Sequence, residues 1–206
     1  MNLVAFGCSS TYGQGLSDCF KSFTAAGPHP SEFAWPSQLA NLLVINCINQ
    51  SLPGSSNLSI LNRILNYRFE QTDIVFVMWS FYARDLIYNE DGYNTNLIAT
   101  DSGTLAKCWL TTHNNYDLMM KSWLYAHHAY SYFKSKKIRC FFLKNKIEED
   151  FFKCRPEWAS HIDFLNYAIY DFGLENRYPL ARDSRHPGPK CHLEFAKALH
   201  KELLVS

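Results

Sequence analysis

The 206-residue sequence contains no apolar run near the ~18 residues that would cross a bilayer. Its start, MNLVAFGCSSTYGQG, has neither a basic leader nor an apolar stretch of signal-peptide length. A membrane partner and export by a classical signal are not expected; the reading is a cytoplasmic or otherwise non-classically exported protein. No block of five or more like charges occurs, and 20 basic against 19 acidic side chains leave a formal net charge of +1. Nucleic acid is excluded as the main partner, because phosphate binding draws on clustered Lys and Arg. None of the seven cysteines (Cys8, Cys19, Cys47, Cys108, Cys140, Cys154, Cys191) lies in a C-x-x-C pair. Their odd number, with Cys47 and Cys140 inside apolar runs, points to reduced thiols rather than a disulfide framework. No repeat, low-complexity tract or linker divides the chain, so residues 1–206 are expected to form one domain.

What is present is apolar: 47% hydrophobic and 16% aromatic residues, enough for a core that needs no disulfide or structural metal. Four short runs have the length and composition of buried strands: Leu3 to Phe6, Leu43 to Ile48, Asp73 to Trp79 and Ile138 to Leu143. Between them the apolar period becomes helical. Ser55, Ser56 and Asn57 offer N-caps to a helix whose face would carry Leu58, Leu61, Leu65 and the stem of Arg68. A longer helix is predicted over Tyr116 to Lys134, with Leu118, Trp123, Ala126 and Tyr130 near one face. A last one runs from His192 to Leu204 on Leu193, Ala196, Leu199 and Leu203. Strands alternating with helices predict an α/β fold: a parallel sheet covered on both faces, with ligands beyond the carboxyl ends of the strands. The segments 86–115 and 144–182 fit no element of this skeleton, and as long connections they are expected to carry specificity or a protein partner's surface.

Three segments carry candidate chemistry. The first predicted strand ends in Phe6-Gly7-Cys8-Ser9-Ser10-Thr11, followed by Gly13 and Gly15. Small residues there let a hydroxyl stand over the sheet edge, while a helix start presents N–H groups to a developing oxyanion, so Ser9 is a nucleophile candidate. Near the other end, Asp183-Ser184-Arg185-His186-Pro187-Gly188 precedes the last helix, and the three-residue spacing lets one loop present a carboxylate and an imidazole. A serine hydroxyl needs such a pair, because it is a weak nucleophile until a base takes its proton. After the second strand comes Asn49-Gln50-Ser51-Leu52-Pro53-Gly54-Ser55-Ser56-Asn57, where Gly54 can bring its backbone N–H close to a ligand. Taken singly, each segment also reads as an ordinary helix cap or polar turn. Their order along the chain favours the chemical reading.

These blocks, FGCSST, NQSLPGSSN, VFVMWSFYARD and DSRHPGPKCHLEFAKAL, resemble the SGNH/GDSL hydrolase superfamily over almost the whole chain. The resemblance implies a three-layer α/β/α sandwich, a flavodoxin-like parallel sheet of four or five strands, and serine-dependent cleavage of esters without metal or cofactor. The implied substrate is an acyl, often acetyl, ester of a glycan or other small molecule. Carried over by position, Ser9 would be the nucleophile, His186 the general base and acid, and Asp183 its orienting partner. Gly54 would donate to the oxyanion beside the N–H of Ser9. Two departures are visible: Cys8 stands where the family has aspartate before the serine, and the third block lacks the family's asparagine donor. Ser80 or Asn57 is the candidate substitute donor, and Trp79 and Arg84 are candidate substrate contacts.

Other readings follow from the same residues. Cys8 invites a thiol mechanism, but neighbours at a strand end point oppositely, so only one faces the imidazole, and the block order chooses Ser9. His186, Cys191 and His192, or His127 with His128, meet no metal-ligand spacing, and His192 and the paired histidines read as packing or cap residues. Trp35 and Trp123 read as core, whereas Trp79, Trp109 and Trp158 are open between core and a sugar-binding cleft. The second functional class is a catalytically weak or inactive domain of this shape serving as a binding or structural subunit of a larger assembly.

Overall fold

The structure, a computed structural model, describes residues 1–88, 94–98, 108–109 and 112–205. In chain order the elements are β1 (Asn2–Phe6), α1 (Ser9–Tyr12), α2 (Trp35–Leu43), β2 (Asn46–Asn49), α3 (Asn57–Asn66), β3 (Ile74–Trp79), β4 (Arg84–Tyr88), β5 (Asn94–Ile98), α4 (Asn115–Lys136), β6 (Arg139–Lys144), α5 (Glu149–Lys153), β7 (Phe164–Ala168), α6 (Ile169–Glu175) and α7 (Pro189–Val205). Five strands form one sheet in the order β2-β1-β3-β6-β7, and every pairing is parallel. The antiparallel pair β4-β5 stands apart from it.

Because strand side chains alternate, each central strand supplies both faces. Val4, Phe6, Val75 and Val77 face a core built with Ile60 and Ile64 of α3 and Trp123 and Phe133 of α4. Leu3, Ala5, Phe76 and Met78 face Trp35 and Leu39 of α2 and Phe195 and Leu199 of α7. Two-sided burial is why β1 and β3 read as continuous apolar runs rather than alternating ones. The layers are therefore α/β/α, as the sequence predicts.

Several boundaries differ from expectation. Leu43 ends α2 instead of opening a strand, because Val44 turns left-handed (φ 55°) and closes the helix; β2 begins only at Asn46. On α3 the buried face is Asn57, Ile60, Leu61 and Ile64, leaving Leu65 exposed and Arg68 beyond the helix end. Ser56 is the cap, accepting from the N–H of Ser59 at 3.2 Å. The segment 144–182 contains α5, β7 and α6, so much of it is scaffold. Of 86–115, residues 89–93, 99–107, 110 and 111 lie outside the described part. Trp79 is 2% exposed, its ring set edge-on against Phe142, so it is built into the core rather than presented at the surface as a substrate contact would be. No helix among the described residues is long and apolar enough to cross a membrane.

Candidate active site

The strands β1, β2 and β3 deliver three loops to one edge of the sheet, and the C-terminal loop closes over them. β1 ends at Phe6, and the chain turns at once into α1, with Cys8 as its N-cap residue and Ser9 in its first turn. The turn is tight enough that a Cβ on Gly7 would lie 2.2 Å from the Thr11 hydroxyl oxygen. The first N–H groups of α1, those of Ser9 and Ser10, have no intrahelical partner by position.

Ser9 Oγ lies 2.8 Å from His186 Nε2, and His186 Nδ1 lies 2.5 Å from Asp183 Oδ2, which links residues 177 positions apart in sequence. The other carboxylate oxygen of Asp183 accepts the backbone N–H groups of Arg185 and His186, both at 3.0 Å. Burial pushes the Asp183 carboxyl up, but hydrogen bonds from the His186 N–H, its imidazole and the Arg185 N–H outweigh that and hold it below the usual range. It is therefore an anion at neutral pH, and its bond to Nδ1–H leaves Nε2 free to accept the serine proton. The loop itself is pinned at both ends: Ala181 N–H donates to His186 O at 2.8 Å, Gly188 N–H to Pro179 O at 3.1 Å, and Arg182 N–H to Gly15 O at 3.1 Å.

The glycine loop after β2 is tied to the same turn. Leu52 N–H donates to Gly7 O at 3.3 Å, and the Asn49 amide donates to Thr11 O at 2.7 Å. Gly54 is left-handed (φ 76°), and beyond its chain neighbours no atom lies within 4 Å of the position its Cβ would take, so the loop is open on that side. Behind both loops is Arg63 of α3, which the sequence did not mark. Its Nη2 donates to Gly7 O at 3.1 Å and to Ser55 Oγ at 3.0 Å, while Nη1 donates to Ser59 Oγ at 3.1 Å. Burial lowers its pKa to about 10, which Cys8 partly opposes, so it remains a cation, with no carboxylate paired to it among the described residues.

The remaining candidates separate into two groups. Asn57 is 1% exposed; its carbonyl oxygen accepts the Ser80 N–H at 2.8 Å and its amide donates to Ser122 Oγ at 3.0 Å. That side chain joins the end of β3 to α4, which corrects its reading as an oxyanion donor. The Ser80 N–H is consumed by the same bond; its fully buried hydroxyl accepts from Arg84 at 3.2 Å, a contact that ties Arg84 to the end of β3 and leaves the O–H hydrogen uncommitted to it. Arg84 lies over the Phe81 ring at 5.1 Å, and Phe81 in turn packs against Tyr170 at 6.4 Å between ring centres. Burial pushes the Tyr170 phenol up to about 12, against the opposing influence of Ser10 and Arg84. An aromatic and guanidinium layer therefore fills the third-block position. Cys8 is fully buried while Ser9 meets the imidazole, so the thiol is turned away. His192 is fully buried too, its Nδ1 accepting the Trp35 N–H at 3.0 Å, which makes it a packing residue. Lys144, 2% exposed, pairs with Glu148 at 3.2 Å and supports the Ser80 carbonyl at 3.4 Å.

No family model and no curated protein matches the chain. Among solved structures it is similar over 97% of its length to 98% of a putative lipolytic protein of the G-D-S-L family from Desulfitobacterium hafniense, at 14% identity and a TM-score of 0.57. It is similar over 100% to 99% of a psychrotrophic esterase from Pseudoalteromonas, at 13% identity and TM-score 0.56. A third likeness, over 98% of this chain and 63% of the other, is to an acetyl xylan esterase from Butyrivibrio proteoclasticus, at 14% identity and TM-score 0.57. The chain has the SGNH/GDSL hydrolase-like fold. Within this SGNH/GDSL-like frame the serine, glycine and Asp-x-x-His blocks occupy one edge of the sheet, and the third block is rebuilt around Phe81, Arg84 and Tyr170.

Proposed function

We propose that the protein is a serine esterase that cleaves an acyl ester of a carbohydrate or other small molecule through an acyl-enzyme. The observation that supports this most is the continuous relay from Ser9 Oγ through His186 to Asp183. In this reading Ser9 Oγ bonds to the ester carbonyl carbon as His186 Nε2 takes its proton. The N–H groups of Ser9 and Gly54 face the resulting oxyanion. Collapse breaks the bond to the alcohol oxygen, which receives the proton from His186. A water then enters, gives a proton to the same nitrogen and attacks the acyl carbon, and the acid leaves as Ser9 regains its hydrogen. Asp183 stabilises the imidazolium in both halves. With the third-block asparagine absent, one donor of the usual kind is missing, a loss worth on the order of a hundred- to a thousandfold in rate. An acetyl group is a reasonable acyl part, since one structural neighbour is an acetyl xylan esterase.

The test is exposure to a fluorophosphonate probe followed by peptide mapping. Labelling at Ser9 that vanishes in Ser9→Ala and falls steeply in His186→Ala is the expected result. A folded protein that takes no label and hydrolyses no aryl acetate would instead make this a binding or assembly domain.

A further inference from the structure

Beside the relay lies a cleft of about 480 Å3 between α6 and the loop that carries Asp183 and His186. This is within the ~300–1,000 Å3 span of small-molecule sites. Its walls include Leu174, Tyr178, Leu180 and Pro187, and its charged members are Arg177 and Arg185. No carboxylate lines it; the acidic residues of α6, Asp171 and Glu175, line a separate groove with Ala168 and Phe172.

Two observations remain unexplained by folding alone. Leu174 and Leu180 are 70% and 52% exposed, so large apolar side chains border the cleft without being buried by the protein. Neither Arg177 nor Arg185 is ion-paired among the described residues, and Lys190 adds a third unpaired cation over the Tyr178 ring at 5.3 Å. In a chain of net charge +1, that is a local excess of positive charge on an apolar surface. Guanidinium groups suit planar oxyanions, and apolar walls suit a hydrocarbon stem.

Two residues of the lining, Arg185 and Pro187, are the sequence neighbours of His186. In the esterase reading His186 hands its proton to the departing alcohol oxygen, which makes the alcohol portion the half of the ester nearest to this loop. We propose that the cleft holds the alcohol portion of the substrate, and that this portion is apolar next to the ester and bears an oxyanion, carboxylate or phosphate, at its far end. The assignment to an alcohol portion rests on the esterase reading above; the anion-binding character of the cleft does not.

The experiment compares 4-(acetoxymethyl)benzoate with its uncharged counterpart 4-(acetoxymethyl)benzamide, and adds 4-(hydroxymethyl)benzoate as a binding probe with Ser9→Ala protein. The expected kcat/KM ratio of acid to amide is about fivefold or more in low salt, falling as salt is added. In the double variant Arg177→Asn, Arg185→Gln the ratio approaches one, and Arg177→Asp brings it lower still. Asn and Asp are chosen because position 177 is left-handed (φ 52°), which they tolerate. Equal rates for the two esters in the wild-type protein, or a ratio unmoved by the arginine changes, would overturn the proposal. If neither ester is cleaved but the benzoate binds Ser9→Ala protein and is weakened by the arginine changes, the anion cleft stands while the esterase reading falls. No saturable binding and no ester preference removes the cleft proposal while leaving Ser9 labelling to decide the other.

Discussion

Gly15 faces the carboxylate of Asp183: a Cβ at position 15 would lie 2.7 Å from both Cγ and Oδ2. The second glycine after the serine is thus needed by a residue near the other end of the chain. Its left-handed backbone (φ 87°) and the bond from Arg182 N–H to its carbonyl complete the seat in which the carboxylate rests.

Gly15→Ala is accordingly expected to displace Asp183 and slow fluorophosphonate labelling of Ser9 at least about a hundredfold. Gly54→Ala differs, because nothing surrounds its absent Cβ. There the cost is the left-handed backbone alone, about 1–2 kcal/mol. Labelling kinetics and thermal unfolding, measured on both variants, separate the two; equal labelling rates would remove the seat argument.

Arg63 holds the two loops that carry the proposed oxyanion donors, through one nitrogen shared between Gly7 O and Ser55 Oγ. Arg63→Lys keeps the charge but cannot hold both loops in the same fork geometry. It should lower kcat about tenfold with little change in KM, and Arg63→Met should lower it further. A change confined to the melting temperature, with kcat intact well below it, would make Arg63 purely structural.

His192 sets an acid limit on stability. Burial, helped by the nearby His186, lowers its pKa to about 3 in the folded protein, although the Pro187 carbonyl pulls the other way. The unfolded chain takes up a proton below ~6.5 and the folded one does not. Stability attributable to His192 is thus complete above ~6.5 and falls continuously from there towards pH 3, by about 2 kcal/mol at pH 5. Chemical unfolding of wild type and His192→Gln between pH 4 and 7 checks this; the variant's curve should be flatter.

Asn57→Ala removes both bonds of a buried bridge between the end of β3 and α4. Leaving the Ser80 N–H and the Ser122 hydroxyl without that partner should cost about 1–3 kcal/mol in unfolding free energy.

The central strands and the relay were legible because each leaves a local mark: unbroken apolar residues at Leu3–Phe6, small residues about Ser9, and a carboxylate three residues before an imidazole. β7 left none, since it is an edge strand interrupted by the exposed Asn166 and joined to β6 through an irregular register. α2 did carry a signal: Pro36 in its first turn, with Trp35, Leu39 and Leu43 four residues apart. On α3 the leucines marked the buried face only in part: Leu61 is in the core, but Ile60 and Ile64 share that packing and Leu65 remains in solvent. Arg63 and Tyr170 were unreadable for a different reason. Their significance lies in partners far away in sequence, such as Gly7 O, 56 positions from Arg63, and no local pattern records that.

The 177-residue separation between hydroxyl and imidazole has a temporal meaning as well. During synthesis the serine therefore precedes its base by 177 residues, and the stretch that carries the base continues into α7, which packs on α2 where the Trp35 N–H meets His192. Before that stretch is made the serine is an inert alcohol, and reactivity at its oxygen reports that the loop before α7 has found its place.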